Sequence, residues 1–515
     1  MSELEKFIDL REEFSPALDK VLRGSEKSAW DFYINSSAEN LKAYETAQNE
    51  FNTLFSDKKL YDKFKNINKN DLPHHEQKQL KDILRTFEER LESGELFKFL
   101  EQKENEIAQK YNSYIPEIDG RQTSKTEISK ILQVETDADT RQKAYEANIK
   151  GGDLIAQDMK EFVIKRNEFA KNKGYDNFFD YKLKEDYDVD ADFLEKLINE
   201  VYDNSKDKIK KIQDEKYSQL KEFFKTDNLQ GWHYGLLTDT NPEKPVNKIL
   251  EHYSVEDISK NTYKGMGFDI DGYLAKGNLT LDLYPRKGKN THGFCFGIDP
   301  GRDSRILANL RNDTRSLDTL NHELGHCMYD LNISRDLTVI DRAPASSAFT
   351  EAIAMMGGDL QKRENILNNI IPEDKLIPFK NSFKKDEALF IANSLLIIDF
   401  EREMYKNPNQ DLTKLWADLR LKYRNQNHKP NNEWATIPHY LSHPAYYQNY
   451  FRAAVMKAQI YNHLHEKLGN ITENADTAKY MTDNIFSKGA SVDEYDLVKE
   501  LTGKEFSAKD FIANL

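Results

Sequence analysis

Residues 318–326 read Asp318-Thr-Leu-Asn-His322-Glu323-Leu-Gly-His326, and this stretch decides how the rest is read. Two histidines four apart lie on one face of a helix, so both imidazoles can reach one ion. Glu323, next to the first of them, is placed to accept a proton from a metal-bound water. Neutral imidazoles and a tetrahedral site suit zinc. The chain has 12 histidines, and this spacing arises by chance in about two chains per hundred of such composition. Context therefore carries the argument. Leu317, Leu320, Leu324 and Met328 make the stretch an apolar helix, and a sheet precedes it.

A catalytic zinc takes three protein ligands and keeps one position open. A histidine six residues after His326 would supply the third, but Asn332 stands there. The best candidate is Glu351, in Phe349-Thr-Glu351-Ala-Ile-Ala-Met-Met. A lone carboxylate among apolar neighbours is costly unless it is bound to something. The alternative is a partly exposed structural acid. Asp318, one turn before His322, has two readings. It accepts the second ring N–H of that histidine, or it is an acid favoured by the helix dipole.

Peptide hydrolysis at such a centre generates an oxyanion, which needs donors besides the metal. Residues 437–450 concentrate them: Ile437-Pro438-His439-Tyr-Leu-Ser-His443-Pro444-Ala-Tyr446-Tyr447-Gln-Asn449-Tyr450. Tyr447 and Tyr450 share a face if helical, and His439 lies on the preceding loop. The plainer reading is aromatic packing, since the chain has 26 tyrosines. His428, His463 and His465 read as surface or structural residues, and His74 and His75 beside Pro73 as a loop.

Working outward, Leu279, Leu281 and Leu283 alternate with polar residues, which predicts a strand. Residues 293–298 and 305–310 predict two more, with a turn at Pro300-Gly301. The first 220 or so residues are helical by pattern. Ser36 and Glu39 fit a capping box, and Phe193, Leu194, Leu197, Ile198 and Val201 form one helical face. Residues 225–248 predict a loop or linker, and residues 425–445 a second loop. The chain holds 22 Gly and 14 Pro in 515 residues, which favours long helices. Lys plus Arg is 74 and Asp plus Glu is 88, a net charge of −14. That balance excludes a general nucleic-acid binder, while 38% hydrophobic residues exclude a disordered chain. Residues 388–400 are too short and polar to span a bilayer and predict a buried helix. No signal peptide is visible, and Cys295 and Cys327 read as free thiols, so a cytoplasmic location is expected with no membrane partner.

These residues resemble a known family. The segments 281–289 (L-D-L-Y-P-R-K-G-K), 291–301, H-E-L-G-H and F-T-E-A-I look like the thimet oligopeptidase and oligoendopeptidase F family. The E-A-I segment and Ser28-Ala-Trp-Asp-Phe-Tyr also look like angiotensin-converting enzyme. The resemblance is specific over 279–354, moderate over 435–454 and weak in the N-terminal half. It implies a mainly α, two-lobed helical metallopeptidase with a deep central channel and one small β-sheet beside the zinc helix. His322, His326 and Glu351 would hold one Zn2+ per chain, with Glu323 as general base and proton shuttle. His439 and Tyr450 would stabilise the tetrahedral intermediate, and Tyr447 would support them or hold substrate, with Tyr446 a substitute. His292 and Gly293 would lie on an edge strand that pairs with substrate backbone. The sequence departs from the converting enzyme at three places. Ile437 replaces a lysine that grips the substrate's C-terminal carboxylate, Asn449 an arginine linked to chloride, and Met355 an aspartate.

The expected layout is an N-terminal helical lobe over 1–224 and a catalytic region over 225–515. The latter carries the sheet (279–311), zinc helices (314–360) and distal motif (436–452), with the lobes interleaved. The expected function is hydrolysis of internal bonds of short unfolded peptides. The alternatives are a peptidyl-dipeptidase, with Arg302, Arg305 or Arg452 as carboxylate anchor, and a catalytically silent peptide-binding protein. The sequence leaves the oligomeric state open.

Overall fold

Scarce glycine and proline leave the chain free to run in long helices, and it does so in the computed structural model, which describes residues 1–92, 94–238 and 241–515. Helices Glu3–Ile34, Ala138–Asn172, Ala191–Phe224 and Glu373–Lys406 each exceed 30 residues. The fold is mainly α, with two small sheets among the described residues. No described helix is long and apolar enough to cross a membrane. Residues 388–400 lie inside Glu373–Lys406, where Ile391, Leu395, Leu396 and Phe400 are buried.

Local signals set most element boundaries, with some shifts. In Ala38–Phe55 the cap is Ser37, which accepts the Asn40 N–H, one residue later than the spacing predicts. In Ala191–Phe224, Leu194, Leu197, Ile198 and Val201 are buried as the 3.6 period requires. The stretch 225–248 is not all loop, because a helix, Glu243–Leu250, begins within it; residues 239–240 lie outside the described residues. His74 and His75 open the helix His74–Leu91 rather than a loop. A short hairpin, Glu117–Ile118 with Arg121–Gln122, turns on Asp119-Gly120, both at positive φ, a pair whose hairpin signal was not among the expectations.

Two compact units make up the chain, each assembled from separate stretches of sequence. The first comprises 1–92, 242–381 and 452–510, the second 93–241, 382–451 and 511–515. The first unit holds the three-stranded sheet: β1 (Leu279–Asp282), β2 (Phe294–Asp299) and β3 (Asp303–Leu307). The order is β1-β3-β2, with β1 parallel to β3 and β2 antiparallel to it, so β2 is an edge. Gly301 turns β2 into β3 at a positive φ of 80°, a conformation that favours glycine. On one face of β2, Phe296 meets Trp30 with ring centroids 5.6 Å apart. Next in the chain come the histidine helix (Thr314–Leu331) and the glutamate helix (Ser347–Arg363). Their apolar faces share one core, in which Leu317, Leu320, Leu324, Phe349 and Ile353 are buried with Met456 and Leu497.

Candidate active site

The histidine helix starts where Asp313 caps it, accepting the Ser316 N–H at 2.7 Å. The glutamate helix starts at Ser346, which accepts the Phe349 N–H at 3.0 Å. The two pack closely because glycines line their contact. A Cβ on Gly325 would stand 2.9 Å from the Ala354 Cα, and one on Gly357 would stand 2.5 Å from the Asn321 carbonyl oxygen. This approach brings His322, His326 and Glu351 together: one potential ligand atom from each lies within 4.8 Å of the others. The His322 Nε2 to Glu351 Oε2 distance is 3.6 Å.

The electrostatics favour a metal. Burial lowers the His322 pKa to about 4, and burial with the His322 charge holds His326 well below its ordinary value. Both imidazoles are therefore neutral at pH 7, the form that ligates. His326 Nδ1 lies 2.8 Å from the Thr350 hydroxyl, which leaves Nε2 for an ion. Thr350 was not foreseen from sequence. Its only mark is its place before Glu351. The two neutral histidines and the buried acid fit Zn2+ in donor type and number.

Glu323 faces the same space. Its carboxylate accepts the Cys295 backbone N–H of β2, and burial followed by the Glu351 charge raises its pKa to about 8. Gly293, just before β2, is packed against it: a Cβ there would come 3.3 Å from Glu323 Oε1 and 3.0 Å from Thr319 Cγ2. The start of the edge strand thus lies directly beside Glu323. His292 is exposed and its backbone N–H is held by Asn290 at 3.0 Å. Asp318 is open to water yet crowded, and burial with the Asp359 charge pushes it up to about 6. Its Oδ1 would stand 2.7 Å from a Cβ on Gly358. Cys295 and Cys327 are free, with their sulfurs 2.8 Å apart.

In the second unit, His439 lies on a short helix, Pro438–Ser442, rather than on a loop. Its ring centroid is 4.8 Å from that of Tyr447, 6.1 Å from Tyr446 and 6.5 Å from Tyr450. Tyr447 and Tyr450 share a face of Tyr447–Leu468, 5.6 Å apart. This group is braced from behind. Arg166 donates to the carbonyls of Tyr440 at 2.9 Å and Leu441 at 2.5 Å. Ala445 turns the chain at a φ of 61°, and its N–H donates to the buried carboxylate of Glu401 at 2.9 Å. His428 is buried, not at the surface. It contacts the Tyr145 hydroxyl and lies 3.3 Å from Glu433. Of the three arginines considered as anchors, Arg305 is held by Asp303, and Arg452 is fully buried on Glu494 and Tyr495. Arg302 is exposed.

The model of peptidase family M3 matches residues 131–515, which take in the ligand triangle and the distal group. The chain belongs to peptidase family M3. Curated relatives of this M3 chain match shorter stretches. It is 26% identical over 277 residues to oligopeptidase A of Escherichia coli, covering 45% of this chain and 39% of the relative. It is 28% identical over 215 residues to oligopeptidase A of Salmonella typhimurium, covering 36% and 30%. Mitochondrial intermediate peptidase of Arabidopsis thaliana is 26% identical over 266 residues, covering 44% and 36%. The matched part of the M3 chain spans about a third of the length of these relatives.

Proposed function

We propose that this chain is a zinc-dependent metallopeptidase that hydrolyses internal bonds of short unfolded peptides. The observation that carries the reading is the triangle of His322, His326 and Glu351 with Glu323 beside it. Membership of family M3 and the names of the relatives support it. Bound Zn2+, one per chain on the three ligands, would supply Lewis acidity to the scissile carbonyl and the attacking water. Glu323 takes the proton of the attacking water and returns it to the amine nitrogen as the C–N bond breaks. Its place beside the ligand triangle, held by the Cys295 N–H, suits both halves of that transfer. His439 and Tyr450 donate to the oxyanion, with Tyr447 at their side and Tyr446 as its substitute. Residues 292–293 pair with substrate backbone, which the position of Gly293 against Glu323 supports. Among the described residues Asp318 makes no hydrogen bond to His322 and lies against Gly358 instead, which favours the reading of a helix acid. The two free thiols fit a reducing cytoplasm.

The test is mass spectrometry of products from a mixed pool of short peptides, run on purified enzyme with and without a chelator. Chelator-sensitive cleavage at internal bonds is expected. Cleavage that persists after the metal is removed would sink the reading. Equal cleavage by Glu323→Gln would show that the proton path is wrong, and a catalytically silent binding protein would cleave nothing.

A further inference from the structure

The chain's two cysteines play no part in the catalytic reading, yet they face each other inside the first unit. Cys295 stands on the edge strand β2 and Cys327 on the histidine helix, and their Sγ atoms are 2.8 Å apart. A disulfide bond is about 2.05 Å long, so joining them needs a closure of less than about 1 Å.

A buried free cysteine commonly serves as a small apolar side chain. The surroundings of this pair are polar instead. Ser304 Oγ, on β3, lies 3.0 Å from Cys327 Sγ and 3.3 Å from Cys295 Sγ. Asp330, in the turn after Cys327, is 9% exposed. Its carboxylate accepts from the Cys295 thiol at 3.8 Å and lies 3.5 Å from the Ser304 hydroxyl. Gly297 of β2 makes room for it, since a Cβ there would stand 2.8 Å from Asp330 Oδ2. Among the described residues no cation pairs with this acid. A buried carboxylate without a cation is costly in a purely structural role, and this one is aimed at the thiols. The pair also touches the candidate active site on both sides. Cys327 directly follows His326, and the Cys295 backbone N–H donates to the Glu323 carboxylate.

We propose that Cys295 and Cys327 are a redox-active pair that hydrogen peroxide converts reversibly into a disulfide tying β2 to the histidine helix. Cys295 is half-buried and Cys327 fully buried, so Cys295 meets the oxidant first. Its sulfur attacks one peroxide oxygen, the O–O bond breaks, and a sulfenic acid and one water result. Asp330 is placed to take the thiol proton and pass it to the leaving oxygen. The Cys327 sulfur then attacks the Cys295 sulfur. The S–S bond forms, the S–O bond breaks, and the hydroxyl leaves with the Cys327 proton as a second water. Two thiols and one H2O2 thus give one disulfide and two waters, with two electrons passing from sulfur to oxygen. Small thiols reverse the bond by exchange, as a pair in a reducing compartment requires. Closing the sulfurs shifts the residue whose N–H holds Glu323. The effect on cleavage rests on the peptidase reading, whereas the bond itself does not.

The test treats zinc-loaded enzyme with hydrogen peroxide, then denatures, alkylates and digests it for mass spectrometry. A peptide pair joined at Cys295 and Cys327 is expected, and dithiothreitol abolishes it. Cys327→Ser gives no such pair and leaves at Cys295 a sulfenic acid that dimedone labels; Cys327→Ala serves if serine disturbs the core. Wild-type cysteines that both stay open to alkylation, or that oxidise singly without joining, overturn the proposal. Cleavage of a short peptide is followed on the same samples. The oxidised wild type should lose about tenfold or more in kcat with zinc content unchanged, and recover it in dithiothreitol, the scale expected when a catalytic group is misplaced by about 1 Å. A joined pair with unchanged kcat overturns the link to Glu323. If the reduced enzyme cleaves nothing, the peptidase reading fails on its own, and the peptide map still decides whether the bond forms.

Discussion

Thr350 shows how much one hydroxyl can matter. It fixes His326 Nδ1 at 2.8 Å and so leaves Nε2 as the ring nitrogen for the proposed metal. Thr350→Val should weaken zinc binding about 10- to 100-fold while the fold persists, measured by competition with a chromophoric chelator. Glu323→Gln should lower kcat by about a thousandfold or more without changing zinc content, because it removes the proton carrier and no ligand. Peptide cleavage and metal analysis on one preparation check both halves. The histidines, Glu323 and Glu351 were legible in the sequence. An i,i+4 pair is a local fact, and an acid in an apolar helix stands out. Thr350 was not, since its partner His326 lies on another helix.

At the scale of elements, glycines decide how near the two ligand helices come. Gly325→Val would force the helices apart against the Ala354 Cα, and we expect a loss of about 1–3 kcal/mol together with weaker zinc binding. Thermal denaturation with and without zinc measures both. The turn before the distal tyrosines depends on Glu401, which burial raises to about 8 from an ordinary 4.5. The folded state keeps this carboxyl protonated where the unfolded chain has lost its proton. Its contribution to stability is therefore complete below about pH 4.5 and is lost as pH rises toward and through 8. Glu401→Gln lacks that titration, so its urea midpoint should gain on the wild type between pH 5 and pH 9. The three strands and the long helices could be read from periodicity, each within a few residues. The short helix under His439 could not, because a five-residue element between proline and serine has no period to show.

For the whole molecule, the metal should report on folding. The proposed zinc site exists in the folded state alone, so removing zinc with a chelator should lower Tm by several degrees, and one equivalent should restore it. Calorimetry checks this, and an unchanged Tm would argue against a preformed site. The mainly α fold was evident from composition and periodicity. The division into two units was not, because each gathers segments far apart in the sequence. That gathering has a consequence for biosynthesis. The core behind the two ligand helices includes Ala453, Met456, Leu464, Leu497 and Leu501. A ribosome that has translated only as far as residue 450 has released both ligand helices but none of those partners. The part of their apolar faces that meets those residues must wait, uncovered, until the last stretch of this core emerges. On the proposed zinc reading, metal capture follows the emergence of that stretch, and nascent chains arrested at residue 450 should take up no stoichiometric zinc.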